Sequence, residues 1–323
     1  MKFFVLFILL SPVAAIQAQQ PQIEWAKIFG SSQGAGISDI QPTSDGNLIV
    51  LAATNAADSN VVCLPKGSSD VWVFKMDMQG NIIWQNCYGG SAQDGGYFNG
   101  RILCTNDGGY IFMVTTESTD VDVTFNHGFK DIWIVKLDIN GSIQWQRCYG
   151  GGGTEAAFCF SKSSDGGYLF GAVSNTVGSD GDIPFHYGTF LTVDAWVVKI
   201  DSIGNILWNK IFGGINNDYL CSIAINGDSI VLFGFTNSTD GDLAGLDVDE
   251  YDGWILVLDF NGSILWTKVY GNDLVQSFTG GIVTSTNHLI GFGDSDDINT
   301  EIGYYHGGGD VYLMKANSNG HIV

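Results

Sequence analysis

Lys136-Leu-Asp138-Ile-Asn-Gly141-Ser-Ile-Gln-Trp145, followed by Arg147-Cys-Tyr-Gly-Gly151 and Ser164-Asp-Gly-Gly-Tyr168, is one copy of a repeat that decides the architecture. It returns as Lys75-Met-Asp77, Gly80, Trp84, Cys87-Tyr-Gly-Gly90 and Asp107-Gly-Gly-Tyr110. Further copies are Lys199-Ile-Asp201, Gly204, Trp208, Phe212-Gly-Gly214, and Val257-Leu-Asp259, Gly262, Trp266, Tyr270-Gly271. A last one, Lys315-Ala-Asn317 with Gly320, stops short of its tryptophan. The spacing is about sixty residues, and a unit of that kind cannot bury its apolar faces alone, so repetition implies units stacked on one another.

Within the second unit the signals are short and evenly spaced. Arg101 to Thr105 reads as a first strand and Tyr110 to Thr116 as a second, joined through Asn106-Asp-Gly-Gly109. Ile132 to Leu137 is a third strand, which Asn140-Gly141 turns into a fourth, Ile143 to Tyr149. Asn-Gly and Asp-Gly supply the positive φ angles of tight hairpins. No sustained helical period is present, so each unit is a four-stranded antiparallel meander. Ile132-Trp-Ile-Val135 offers no polar side, and a sheet apolar on both faces must lie between other sheets.

Radial stacking of such sheets predicts an all-β, five-bladed β-propeller. A solenoid is the alternative, but neither terminus reads as a polar cap. The chain ends Gly320-His-Ile-Val323 where its siblings continue to Trp, and Gln22-Ile-Glu-Trp25-Ala-Lys27-Ile-Phe-Gly30 matches the missing fourth strand. Ring closure by this N-terminal strand is the expectation, because it removes exposed edges; a truncated reading frame is the competing explanation.

Residues 1–18 read as a secretory signal peptide: Lys2, an apolar run Phe3 to Leu10, and a small-residue exit through Ala14-Ala15 to Ala18. Residues 19–323 then form a single propeller domain. No stretch reaches the length of a membrane helix, and no cysteine follows the apolar run to carry a lipid anchor. The expected protein is secreted or cell-surface and monomeric. The 323 residues carry 13 Lys and Arg against 34 Asp and Glu, a formal charge of −21. Such a surface repels nucleic acid and anionic membranes and suits cations or basic partners. Of six cysteines, Cys87 and Cys148 share a slot held elsewhere by Ile28, Ile211 and Val269, while Cys104, Cys159 and Cys221 fall in apolar strands and Cys63 in a loop. That pattern reads mostly as buried small hydrophobes.

The pattern Asp-Gly-Gly-Tyr, Ser-x-Asp-Gly-Asp, Asp-x-Trp, Lys-x-Asp-x-x-Gly-x-x-x-Trp, Tyr-Gly-Gly resembles the β-propeller repeats of secreted bacterial proteins over residues 22–323. That resemblance implies extracellular or surface placement and no established chemistry. The stretch Lys136 to Trp145 is also similar to the tryptophan-docking motif of quinoprotein propellers, where Trp packs between blades; the vicinal cysteines and cofactor cluster of those proteins are absent from the sequence.

All nine tryptophans fall in repeated slots: Trp72, Trp133, Trp196 and Trp254 in third strands, with Tyr312 in the same slot, and Trp25, Trp84, Trp145, Trp208 and Trp266 in fourth strands. They read as core, leaving Tyr97, Phe98, Phe185, Tyr187, Tyr251, Tyr304 and Tyr305 as loop aromatics for a sugar. Among the basic residues, Lys66, Arg101, Lys130 and Lys162 lie outside the repeated slots. The acids are more informative. Links between second and third strands carry Asp120/Asp122, Asp180/Asp182, Asp240/Asp242 and Asp294/Asp296/Asp297, and links between units carry Asp94, Glu155 and Asp218. Both kinds of link share one rim, so Asp94, Glu155, Asp218, Asp120, Asp122, Asp180 and Asp182 are candidate ligand residues. Calcium, which takes six to eight oxygens, is the candidate cation for Asp240, Asp242, Asp247, Asp249 and Asp252. His127, His186 and His306 lie in corresponding loops, where turn packing competes with zinc or copper binding.

The expected function is a noncatalytic extracellular binding, adhesion or scaffold module that holds a glycan, peptide or protein on the acidic rim. A glycoside hydrolase is the alternative, requiring two carboxyls about 5 to 9 Å apart; the innermost strands offer Asp39 beside Arg101 and Lys162, and no obvious second acid. A quinoprotein-like oxidoreductase is a third reading.

Overall fold

The structure, a computed structural model, describes residues 23–96, 100–271, 276–295 and 309–323. Five antiparallel sheets follow one another along the chain, and each is a meander whose strands pair in sequence order. Sheet 1 contains β1 (Ala35–Pro42), β2 (Leu48–Thr54), β3 (Asp70–Met76) and β4 (Ile82–Tyr88). Sheet 2 contains β5 (Arg101–Cys104), β6 (Tyr110–Thr116), β7 (Asp131–Leu137) and β8 (Ile143–Tyr149). Sheet 3 contains β9 (Glu155–Lys162), β10 (Tyr168–Ser174), β11 (Asp194–Ile200) and β12 (Ile206–Phe212). Sheet 4 contains β13 (Asp218–Asn226), β14 (Ser229–Thr236), β15 (Asp252–Asp259) and β16 (Ile264–Tyr270). Sheet 5 contains β17 (Gln276–Val283), β18 (Leu289–Ser295) and β19 (Asp310–Ala316). The one helical element among the described residues is a short 3-10 turn, Gly241–Leu243.

Consecutive sheets pack face to face, and their first strands (β1, β5, β9, β13, β17) lie side by side, as in a propeller. Residues Val71 and Val73 of sheet 1 meet Phe112, Trp133 and Val135 of sheet 2 in one core cluster. The opposite face of sheet 2, with Ile132 and Ile134, meets Phe170, Trp196 and Val198 of sheet 3. The same alternation carries the core through Trp254 into sheet 5, where Phe278, Tyr312 and Met314 pack on Phe233 and Ile255. Trp72, Trp133, Trp196 and Trp254 are at most 1% exposed, as their slot predicts. At ~25 cal/mol per Å2 and ~200 Å2 apiece, each contributes about 5 kcal/mol of burial.

The outer tryptophans do a second job. Each lies against the hairpin glycine of the next sheet: a Cβ on Gly141 would stand 2.9 Å from Trp84, on Gly204 3.0 Å from Trp145, on Gly262 3.0 Å from Trp208, and on Gly320 3.0 Å from Trp266. Gly141 is also at φ +83°, so turn geometry and close approach both demand glycine.

The expected closing strand is not formed as such. Residues 23–33 carry no strand, and sheet 5 has three strands among the described residues. Instead, Phe29 of this segment joins Val61 and Cys63, from the link between β2 and β3, over Trp72 and Phe74 on the free face of sheet 1. Trp25 donates its indole N–H to the Met78 carbonyl (2.8 Å) and Lys27 Nζ donates to the Gly80 carbonyl (2.8 Å). The outward face of sheet 5 stays open, with Val311 87% and Leu313 66% exposed. Two readings need correction. Cys87 is not simply a core filler but is bonded to Cys63, their Cα atoms 5.4 Å apart, whereas Cys148 in the same slot is free. Asp294 lies in β18, not in a loop.

Candidate functional site

The Gly-Gly link that leaves each sheet presents backbone N–H groups that need acceptors, and acids supply them. At the link from sheet 1 to sheet 2, Asp94 accepts from Gly90 N (2.6 Å), Ser118 Oγ (2.7 Å) and Thr116 Oγ1. Glu155 repeats this at the next link, with Gly151 N at 2.9 Å, Ser174 Oγ at 2.6 Å and Thr176 Oγ1 at 2.7 Å. Asp218 repeats it again, with Gly214 N at 2.8 Å, Ser238 Oγ at 2.9 Å and Thr236 Oγ1. All three acids are 0% exposed, so the rim residues expected to meet a ligand lie beneath the surface. This is a correction to the rim reading: their oxygens are consumed by hydrogen bonds, as a buried carboxylate requires.

The loop aspartates clamp the same links from outside. Asp120 takes Ser91 N (2.7 Å) and Asp122 takes Gly89 N (3.1 Å). Asp180 takes Gly152 N (3.1 Å) and Asp182 takes Gly150 N (3.4 Å). Asp240 takes Ile215 N (2.9 Å) and Asp242 takes Gly213 N (3.2 Å).

A third acid opens the third strand of sheets 1 to 4; Asp252 is among the calcium candidates, and the other three were not singled out from the sequence. Asp70, Asp131, Asp194 and Asp252 are at most 1% exposed. In sheets 1 and 2 this acid faces the buried acid of the following link across a glycine, and in sheet 3 Asp194 bears on Asp218. A Cβ on Gly89 would stand 2.6 Å from Asp94 Oδ2 and 2.8 Å from Asp70 Oδ1; on Gly150, 2.4 Å from Glu155 Oε2 and 2.6 Å from Asp131 Oδ1. Like charges meeting under burial raise carboxyl pKa values. Burial first, then the neighbouring Asp94, pushes Asp70 up to about 6. Burial, with Asp242 and Asp240 adding, pushes Asp194 up to about 7, and burial with Asp194 adding pushes Asp218 up to about 7. Asp131 and Glu155 shift upward for the same main reason. The Asp-x-Trp spacing was the available signal for these acids, visible at Asp70-Val-Trp72, Asp131-Ile-Trp133, Asp194-Ala-Trp196 and Asp252-Gly-Trp254.

One residue per unit ties this inner acid to the next sheet's rim. Lys66 donates its backbone N–H to Asp70 and its ammonium to Asp122. His127 donates its backbone N–H to Asp131 (3.0 Å), bonds Asp131 through Nδ1 (2.6 Å) and places Nε2 3.9 Å from Asp182. Tyr187 donates N–H to Asp194 (2.7 Å) and its hydroxyl to Asp242 (3.3 Å). His127 is therefore a cross-sheet tie. His186 lies buried, its Nε2 3.7 Å from Asp194 Oδ1. In sheet 4 the slot holds Asp249, whose N–H reaches Asp252 (3.4 Å).

The five calcium candidates do not converge. Asp240 and Asp242 belong to the Gly213–Ile215 clamp, and Asp242 and Asp240 raise Asp194; Asp247 and Asp249 bear on Asp252, which burial pushes up to about 6. Among the described residues no group of three or more His, Cys, Asp or Glu is disposed to hold a metal ion. Tyr97, Phe98, Asp296, Asp297, Tyr304, Tyr305 and His306 lie outside the described residues. On the opposite rim the repeated lysines pair with the turn aspartates: Lys75 with Asp45 (2.6 Å), Lys136 with Asp107 (2.8 Å) and Lys199 with Asp165 (2.5 Å).

No family model matches the chain, and no curated protein matches it. Solved structures do. A Dyadobacter fermentans protein of unknown function matches at 11% identity and TM-score 0.48, over 91% of this chain and 82% of that one. A Bacteroides caccae protein of unknown function matches at 11% identity and TM-score 0.45, over 90% and 81%. A Bifidobacterium bifidum protein provisionally assigned as an exo-beta-1,3-galactanase matches at 15% identity and TM-score 0.43, over 90% of each chain.

Proposed function

We propose that the chain is an exported, noncatalytic five-bladed propeller that acts as a rigid binding scaffold. The observation that carries this reading is the commitment of the rim acids to holding the chain. Asp94, Glu155 and Asp218 are enclosed and saturated with donors, and each loop aspartate spends an oxygen on a link amide. Enclosed pairs such as Asp131 and Glu155 cannot flank a glycosidic bond, which tells against the hydrolase alternative. Export is supported by the N-terminal sequence and by the Cys63–Cys87 bond, since disulfides persist in oxidising compartments.

Ring closure belongs to the same proposal and has a definite register. In sheets 1 to 3 the outer tryptophan opposes the repeated lysine: Trp84 with Lys75, Trp145 with Lys136, Trp208 with Lys199. In sheet 5, Ile322 bridges Ala316 as Ile82 pairs Met76, so His321–Val323 start a fourth strand on β19. A cavity of about 550 Å3 runs along the rest of that edge, lined by Tyr312, Leu313, Met314 and Lys315. Trp25 already lies 3.2 Å from a Cβ position on Gly80, as the other outer tryptophans do on their glycines. The closing strand accordingly places Trp25 opposite Lys315 and Phe29 opposite Val311. The function is tested on purified residues 19–323 by screening immobilised glycans and peptides, then analysing captured ligand for products. Binding of unaltered ligand is expected, and appearance of cleaved product overturns the reading.

A further inference from the structure

Departures from a repeat are where a scaffold carries something beyond its own folding. Of the four cations outside the repeated slots, Lys66 pairs with Asp122, Lys130 with Glu117 (2.8 Å), and Arg101 donates to the Gly100 carbonyl (2.9 Å). Lys162 has no carboxylate within ion-pair distance among the described residues, although the chain carries 34 acids. The ladders show how unusual its position is. The first-strand residue paired with the leading apolar side chain of the second strand is Pro42, Cys104, Ile225 or Val283 in the other sheets, opposite Leu48, Tyr110, Ile230 and Leu289. In sheet 3 it is Lys162, opposite Tyr168. Folding asks for an apolar or neutral residue there, and this sheet presents an exposed ammonium.

Lys162 stands between two cavities on the rim opposite the acid clamps, of about 340 and 330 Å3, and Thr105 and Asn106 also line both. Their volumes lie at the lower end of the ~300–1,000 Å3 usual for small-ligand sites. The other cations in them are neutralised in place, Lys136 by Asp107 and Lys75 by Asp45. The larger cavity adds Trp145, half-buried, with the Gln144 amide and the Ser163 hydroxyl. One uncompensated positive charge, an aromatic surface and neutral hydrogen-bonding groups fit a ligand with one negative charge, an apolar C–H face and several hydroxyls. A multiply charged phosphate would meet the field of a −21 protein with a single cation to offset it.

We propose that the Lys162 saddle binds a uronic acid unit of an acidic glycan, its carboxylate on Lys162 Nζ, its ring against Trp145 and its hydroxyls on Asn106 and Gln144. This rests on the binding-scaffold reading and names its ligand class. The test is isothermal titration of residues 19–323 with a galacturonic acid trisaccharide, its methyl ester and the neutral galactose trisaccharide. Binding of the acid form alone is expected, weakened about tenfold or more by Lys162→Gln and kept by Lys162→Arg, because charge-assisted hydrogen bonds are the stronger kind. Lys162 is exposed, so a melting curve matching the parent shows that the loss is not unfolding. Gln144→Ala should weaken binding without abolishing it. Equal binding of the neutral sugar, an unchanged Lys162→Gln variant, or no heat at millimolar trisaccharide overturns the proposal. If the trisaccharide binds but is cleaved, the noncatalytic reading fails and the site stands. If another glycan or peptide binds with no contribution from Lys162, the site falls and the scaffold reading stands.

Discussion

Replacing Asp194 with Asn should stabilise the protein at neutral pH, contrary to the usual cost of altering a buried polar group. Asp194 is 0% exposed; its Oδ2 accepts from Tyr187 N (2.7 Å), while Oδ1 has no hydrogen-bond partner and sits 3.7 Å from His186 Nε2. The groups that face it are Asp218, Asp240, Asp242, His186 and Tyr187. Burial pushes its carboxyl up to about 7, against about 3.9 in an unfolded chain. A raised folded value means that its stabilising contribution is complete below the unfolded value and is lost as pH rises through about 7. Between pH 5 and 7 that loss is about 2–3 kcal/mol at 1.36 kcal/mol per pH unit, or about 5 °C in melting temperature for a domain of this size. An Asn keeps the acceptor for Tyr187, offers an N–H toward His186 and carries no charge. Thermal melts by circular dichroism at pH 5.0 and 7.5 should show the parent melting higher in acid and Asp194→Asn melting nearly alike at both. Asp228→Asn, at an exposed acid, controls for the general relief of surface repulsion. If Asp194→Asn is destabilised at pH 7.5 and keeps the parent's pH slope, Asp194 is ionised and satisfied in the fold, and the argument from a raised carboxyl fails.

Trp133→Ala should cost about 3–5 kcal/mol in chemical denaturation, since the ring is wholly enclosed between sheets 1 and 2; a variant of parental stability would remove Trp133 from the core. Deleting residues 19–30 should lower the melting temperature sharply or cause aggregation, by removing Phe29 from over Phe74 and leaving the β19 edge without its proposed partner. An unchanged melt would refute both roles. Substituting Cys63 and Cys87 together by Ser should cost about 2–4 kcal/mol, because the bond closes a loop with a sequence separation of 24; equal stability of parent and double variant under oxidising conditions would show that the bond does not form.

The clamps explain how so acidic a chain holds its links together. Each link acid is matched to a specific set of donors: two hydroxyls from the end of the second strand and one amide from the Gly-Gly turn. Where Gln276 takes the acid's place in sheet 5, the inner Asp252 no longer faces a second carboxyl at that position, and Asp249 and Asp247 become its charged neighbours.

Much of the fold was legible because its causes are local. The Asp-Gly and Asn-Gly turns set the hairpins, so β6 at Tyr110–Thr116 and β8 at Ile143–Tyr149 fall where the spacing put them. The two-sided apolar strands announced stacked sheets, and the tryptophan slots announced the core. The candidate site was legible only as a distribution of acids. Nothing near Asp94 in sequence says that Thr116 and Ser118, more than twenty residues away, will turn their hydroxyls toward it, or that Gly89 will hold it beside Asp70. The sequence by itself determined repeating sheets, their turns and their buried rings, because strand and turn preferences act within a single unit. Only the tertiary structure decided which carboxyls are enclosed, which share a glycine and that Lys162 stands without a carboxylate partner between two cavities, because desolvation and hydrogen-bond supply come from the neighbouring sheet.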